Sequence, residues 1–474
     1  MSRFPTYRAF LALAAFALST GVSHGAPRAS AAAPRWNVVI IMADDLGYGD
    51  LGCYGATLVK TPHCDRLARE GRRFTDAHSP SAVCSPTRFG LLTGGYPWRD
   101  DRVPRHLHAW EPLVIREGEP TIASLLKRAG YATACVGKWH LGAQRQDPID
   151  WNQPLSPGPN DCGFDEFFGV INSHNQAPFV LVENQTILDH APNDPIAISD
   201  NRVQTSGPRT RDSNELEAAQ ARRAVDFIDR NKDRAFFLYY PTAAIHSPLA
   251  PGKSWRGTSQ AGEYGDYIQE FDWAVGQVLR ALDRHRLAER TIVIVTSDNG
   301  GLLRPADGFG HRSCGDLRGA KTSAYEGGHR VPFIVRWPEK VPSGTTCDET
   351  MCHVDLMATL CAALDIELPS HAGPDSWNML PAWLGESSER PIREATVCVS
   401  QNASTYAVRR GPWKLLLPAK GDPQRVELYN LSDDLAESIN LASKHPEEVE
   451  ELKALFAKYR DQGFSRNGWK PASE

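Results

Sequence analysis

The sequence has no dominant charge. Lysine and arginine number 52 against 57 aspartate and glutamate, for a formal net charge of −5. No global field therefore favours nucleic acid or an anionic membrane surface, and an anionic ligand must be drawn by local positive charge. Long apolar runs are also missing. The best candidate, Ala9 to Val22, falls short of the roughly 20 residues that span a bilayer, so no stable membrane insertion is expected. With Arg3 and Arg8 before it and Ser23-His24-Gly25-Ala26 after it, the stretch reads as a signal peptide over 1–26, without a lipobox cysteine. A loose Ala/Pro/Ser linker over 27–35 follows, and the expected location is secreted or periplasmic. Internal repeats and sustained low-complexity segments are absent. Among the ten cysteines, Cys53 and Cys64 fit no common zinc-finger spacing with His63, while Cys347 and Cys352 are near enough in sequence to pair.

What is present is an alternation of buried strands and helices. Trp36 to Met42 is a continuous apolar run rich in β-branched residues, as a strand covered on both faces requires. Further strands are expected at Arg72 to Thr75, Tyr131 to Val136, Phe236 to Tyr240, Thr291 to Ser297 and Val331 to Trp337. Helices are expected from Pro62 to Gly71, from Pro86 onward, over Thr121 to Ala129, Asn214 to Asn231, Tyr264 to Leu287 and Val354 to Leu364. Gln146 to Pro159 and Asn172 to Thr210 read as irregular loops. This order implies an α/β fold, a large, mixed but mostly parallel sheet between helices. Past Gly385 the character changes to four short strands and a closing helix, Pro446 to Arg460. The expected division is a catalytic domain over 36–385 and a subdomain over 386–474, a small antiparallel sheet with one helix.

Ligands of open parallel sheets bind beyond the carboxyl ends of the strands. Asp44-Asp45, Gly137 to His140, His246 and Asp298-Asn299 all follow expected strands, so four segments deliver polar groups to one edge. Adjacent carboxylates repel unless a cation neutralises them. Oxygen-only donors suit calcium or magnesium rather than zinc. An isolated Asp-Asp pair is more often a turn or a cap, but here both acidic sites end apolar strands.

An isolated cysteine is most often a small buried hydrophobe. Cys84, however, lies in Ala82-Val83-Cys84-Ser85-Pro86-Thr87-Arg88, continued by Phe89-Gly90-Leu91-Leu92-Thr93-Gly94. This run resembles the signature of the type I sulfatases, of the arylsulfatase and N-acetylgalactosamine-6-sulfatase type. Gly130 to His140 resembles the second signature of that family. His246 before Ser247-Pro248, and Lys321 before Glu326-Gly327-Gly328, match in order. The resemblance implies an alkaline phosphatase-like fold. It implies that Cys84 becomes Cα-formylglycine (3-oxoalanine) through a formylglycine-generating enzyme, and that its hydrate is the nucleophile. A divalent metal, usually Ca2+, with Mg2+ as the other hard dication, would be held by Asp44, Asp45, Asp298, Asn299 and an oxygen on residue 84. Arg88 would help ionise the hydrate and Asp298 would accept its proton. Lys138, Lys321 and the metal would hold sulfate oxygens, His246, assisted by Lys321, would protonate the leaving oxygen, and His140 would deprotonate the second hydroxyl. The expected activity is hydrolysis of sulfate monoesters, of a sulfated saccharide in nature and of aryl sulfates as surrogates. Alternatives are a phosphate or phosphonate monoester hydrolase on the same scaffold, or a non-catalytic glycan-binding protein.

Overall fold

A computed structural model describes residues 1–2, 35–103, 105–189, 196–199, 202–205, 212–386, 389–419 and 425–472. The chain divides into two units, Met1–Pro34 and Arg35–Glu474, and every element below belongs to the second. The expected signal peptide, beyond its first two residues, and the linker up to residue 34 lie outside the described residues. No described helix is long and apolar enough to cross a membrane.

The strands of the large sheet that bear on the site are β1 (Asn37–Ala43), β2 (Arg72–Phe74), β3 (Ala132–Lys138), β4 (Glu166–Val170), β5 (Phe236–Pro241), β6 (Thr291–Ser297) and β7 (Phe333–Arg336). Their spatial order is β2-β7-β6-β1-β5-β3-β4, within a sheet of ten strands among the described residues. The run from β6 to β4 is parallel, and β7 and β2 add antiparallel pairings. Burial explains the apolar sequence of β1 from Val38 to Ala43. Val38, Ile40 and Met42 enter the core against helices α2 (Cys84–Thr93) and α3 (Ile122–Arg128). Val39, Ile41 and Ala43 enter the opposite core against α1 (Pro62–Glu70), α4 (Ser213–Asn231) and α5 (Gly262–Arg284). A strand with both faces covered has no polar side to display.

The smaller sheet is antiparallel, β8 (Thr396–Val399), β9 (Thr405–Arg410), β10 (Trp413–Pro418) and β11 (Glu427–Asn430) in that order. Helix α6 (Pro446–Gln462) packs on it through Leu452, Leu455 and Tyr459. Its edge is fastened to the chain just before Cys84: Ala82 donates its amide to the Val399 carbonyl at 2.8 Å.

Two expectations need correction. Helix α2 starts at Cys84 rather than Pro86, because Val83 is extended and Pro86 still sits in the first turn, where its missing N–H goes unneeded. The stretch from Asn172 to Thr210 is not wholly irregular. Val182–Glu183 and Thr186–Ile187 form a hairpin at the edge of the large sheet, and Ile196–Ser199 pairs with Arg202–Thr205. Pairings this short leave too little periodicity to be read from sequence. All ten cysteines are free thiols, Cys347 and Cys352 included.

Candidate active site

Strand register builds the acidic cluster. Ala43 at the end of β1 lies opposite Ser297 at the end of β6. The next residues, Asp44 and Asp298, therefore leave the sheet side by side. Asp45 takes a left-handed backbone (φ 69°), and its amide donates to Asp298 Oδ1 at 3.1 Å. On the other flank, the Asp44 amide donates to the Ala244 carbonyl at 2.8 Å, and the Ile245 amide to the Asp44 carbonyl at 2.7 Å. That exchange ties the Asp44 backbone to the turn carrying His246. Asp44, Asp45, Asp298 and Asn299 are fully buried.

Three cations face the three carboxylates. Arg88, one helical turn after Cys84, donates to Asp298 Oδ2 at 2.7 and 3.2 Å and to the Lys138 carbonyl at 2.8 Å. Lys138 Nζ donates to Asp44 Oδ2 at 2.7 Å. Lys321 Nζ donates to Asp45 Oδ2 at 2.7 Å. Burial raises the Asp298 carboxyl, helped by Asp44 and opposed by Arg88. Burial works against the charges of Arg88 and Lys321, yet the carboxylates beside them raise both.

Among the described residues, two oxygens in this cluster have no hydrogen-bond partner, Asp44 Oδ1 and Asn299 Oδ1. An orphaned buried acceptor costs about 1–3 kcal/mol. A hard dication would satisfy both, and ligand atoms of Asp44, Asp298 and Cys84 lie within 4.8 Å of one another. The donor set therefore fits a divalent metal.

Cys84 opens α2 against this cluster. Burial raises its thiol, partly offset by Lys138 and Lys321. A thiol kept protonated is a poor nucleophile. It borders a cavity of about 220 Å³ shared with His106, His140, Ser173, His246 and Lys321. His140 Nε2 lies 2.9 Å from the Leu107 carbonyl and so carries the proton, leaving Nδ1 buried without a partner. His246 Nδ1 faces the Ser247 carbonyl, and its Nε2 lies 3.8 Å from Asp45 Oδ2. Burial, then nearby cations, hold both imidazoles well below their usual range, so both are neutral near pH 7. All ten residues expected from the sequence thus converge at one end of the sheet.

Sequence reasoning missed Glu217. Its carboxylate accepts from Tyr240 Oη at 2.5 Å and from the Ala244 amide at 3.3 Å, beneath the turn that leads to His246. The available signal was its place on the buried stripe of α4, in line with Ala221, Ala224 and Ile228. A second omission is Asp50, which accepts from the Gly47 amide, Tyr264, Ser313 and His311 and so braces the loop after Asp45.

Fold and site together define an alkaline phosphatase-like hydrolase. The sulfatase family model matches residues 36–366, and the C-terminal model of N-sulphoglucosamine sulphohydrolase matches residues 320–462. The chain belongs to the sulfatase family and is an enzyme that hydrolyses sulfate monoesters. It is 37% identical over 477 residues to an N-acetylgalactosamine-6-O-sulfatase of Bacteroides thetaiotaomicron, covering 89% of this chain and 92% of that one. Human arylsulfatase A is 34% identical, with 88% and 86% covered. A structure solved in a study of glycosaminoglycan metabolism by Bacteroides thetaiotaomicron superposes with a TM-score of 0.85 at 35% identity, covering 90% of this chain and 99% of that one. Another, Ps i-CgsB in complex with k-i-k-neocarrahexaose, gives 0.75 at 25% identity, with 91% and 95% covered. The family generally uses a formylglycine and a divalent metal.

Proposed function

We propose that the chain removes sulfate from a sulfated saccharide, with Cys84 converted to formylglycine and Ca2+ held by Asp44, Asp45, Asp298 and Asn299. The observation that carries this reading is residue 84 itself, seated at the head of α2 against two carboxylates with unsatisfied oxygens beside them. Its sulfur marks where the oxygens of the hydrated aldehyde belong. That hydrate supplies an oxygen nucleophile and a second hydroxyl through which sulfate is released, and the dication supplies Lewis-acid charge for ionising the first and drawing sulfate oxygens.

The remaining chemistry belongs to side chains. Three carboxylates against three fixed cations leave the site near neutrality, so a dication makes it a trap for a sulfate monoester. Arg88 opposes the burial that raises Asp298 and holds its carboxylate in place, and Asp298 accepts the nucleophile's proton. Lys138 and Lys321 supply fixed positive charge to the equatorial sulfate oxygens as the S–O bond to the substrate breaks. His246, held neutral in the free site by burial and then by Lys321 and Lys138, would be the donor from Nε2 to the departing oxygen once the charge of the bound sulfate offsets those cations. His140 Nδ1, its lone pair free, takes up the proton whose loss lets sulfate depart.

A saccharide target is supported by the names of the N-acetylgalactosamine-6-sulfatases and by the hexaose in the Ps i-CgsB complex. Export through the segment at 1–26, maturation by a formylglycine-generating enzyme and the division at 385/386 belong to the same proposal. The test is expression with and without that enzyme, followed by assay on 4-nitrophenyl sulfate and on 6-sulfated N-acetylgalactosamine. Turnover should require maturation and Cys84. Equal turnover by Cys84→Ser and the matured protein would overturn the nucleophile.

A further inference from the structure

We infer that a cleft beside the catalytic cavity binds a second sugar, so that the preferred substrate is a sulfated oligosaccharide rather than a free monosaccharide. This rests on the saccharide reading above and goes beyond it in substrate length. The catalytic cavity, at about 220 Å³, is smaller than the roughly 300–1,000 Å³ that encloses a drug-sized ligand. It takes one sulfated ring, and whatever that ring is linked to must leave through the mouth.

One rim of that mouth is Thr322 and Gln401. Immediately beyond it lies a larger hollow, about 740 Å³, between the turn 322–325 and the edge of the small sheet. Thr322 lines both spaces, and the neighbours of Gln401, Ser400 and Asn402, line the cleft. The shared rim is firmly held. The Gln401 amide donates to the Thr322 carbonyl at 3.0 Å, and the Thr322 amide to the Ala82 carbonyl at 2.8 Å, two residues before Cys84. Distance from cleft to chemistry is therefore fixed by backbone rather than by mobile side chains.

The lining suits a neutral sugar. Thr322, Ser400, Asn402, Ser404 and Thr405 present hydroxyls and an amide, and Tyr325 adds an aromatic ring. The side chains of Thr322, Gln401 and Asn402 make no hydrogen bond among the described residues, and Thr322 and Asn402 are exposed. Donors and acceptors left unused along a path out of the catalytic cavity are what a pyranose ring's hydroxyls would engage. Glu427, which also lines the cleft, already accepts from Tyr325 Oη at 2.9 Å. Arg425 lines the cleft as well, together with the Glu427 carboxylate, so among the described residues one cation and one anion balance there and the wall does not select a charged second sugar.

The test fills the cleft without touching the catalytic groups. Ala419→Trp and Ala419→Phe each add bulk from an exposed lining position. Matured protein is assayed on a sulfated N-acetylhexosamine, on di- and tetrasaccharides carrying it, and on 4-nitrophenyl sulfate. Wild type should favour the oligosaccharides by about ten-fold in kcat/KM, which corresponds to about 1.4 kcal/mol. Both variants should lose that preference and keep wild-type turnover of 4-nitrophenyl sulfate. Equal kcat/KM for mono- and oligosaccharides in wild type, or an unchanged preference in both variants, overturns the inference while leaving the sulfatase chemistry standing. If no saccharide sulfate turns over, the saccharide reading falls, and calorimetry with the unsulfated tetrasaccharide decides the cleft. Binding weakened by both variants supports it, and binding that is absent or unaltered refutes it.

Discussion

Arg88→Met should separate structure from chemistry at this site. Arg88 is fully buried, and its guanidinium is the principal counter-charge of Asp298. Methionine keeps much of the side-chain volume but leaves the carboxylate unpaired. Removing one partner of a buried ion pair costs about 3–5 kcal/mol. For the unit Arg35–Glu474, an unfolding entropy of about 2.1 cal/mol/K per residue gives roughly 0.9 kcal/mol per degree, so Tm should fall by about 3–5 °C in chelator. Added Ca2+ then acts in the opposite sense. A ligand at 100 times its Kd stabilises by about 2.7 kcal/mol, or about 3 °C in wild type. The variant site has lost one positive charge and kept its carboxylates, so it should bind the dication more tightly and gain more on titration. The assay is scanning calorimetry of both proteins in chelator and across a Ca2+ series, with sulfate-ester turnover measured alongside. Turnover should be nearly abolished in the variant even where Ca2+ restores its Tm. A variant as stable as wild type in chelator, or one gaining less from Ca2+, would refute the electrostatic account.

Other outcomes follow from the same geometry. His246→Ala should reduce turnover of alkyl sulfates by about 10²–10⁴-fold, with a much smaller loss on 4-nitrophenyl sulfate, whose phenolate leaves without a proton; equal losses on both would remove His246 from the leaving-group step. Lys321→Ala should impair both substrate classes, because its ammonium is bonded to Asp45 in the acidic cluster and is proposed to face the sulfate. Burial raises Glu217 to about 7 and Glu270 to about 8. For a raised carboxyl, stability is full below the unfolded value and is lost as pH rises through the folded one. In urea titrations the Glu217 contribution should therefore fade between pH 5 and 8, so the stability of Glu217→Gln relative to wild type should rise by about 3 kcal/mol over that interval; an unaltered difference would mean that Glu217 does not titrate there. Mass spectrometry of the Cys84 peptide from an exporting host should show aldehyde in place of thiol, and an intact thiol in a fully active preparation would contradict the proposed nucleophile.

The sequence by itself determined the reaction class and the outline of the fold. Apolar runs such as Trp36 to Met42 admit one placement, buried on both faces, and polar residues directly after several such runs must gather at one sheet edge. The stretch around Cys84 carried the family because it sets a cysteine, a proline and an arginine together at the start of one helix. Tertiary structure decided what depends on register and on contacts distant in the chain. Asp44 and Asp298 become neighbours only because β1 and β6 pair with Ala43 opposite Ser297. Glu217 became visible only once α4 packed beneath the turn at Ala244. Gln401 reaches the catalytic cavity, more than 300 residues after Cys84, because the small sheet is fastened to Ala82. Local pattern encodes which residues are buried and which end a strand, whereas the partner across a gap is set by packing of the whole chain.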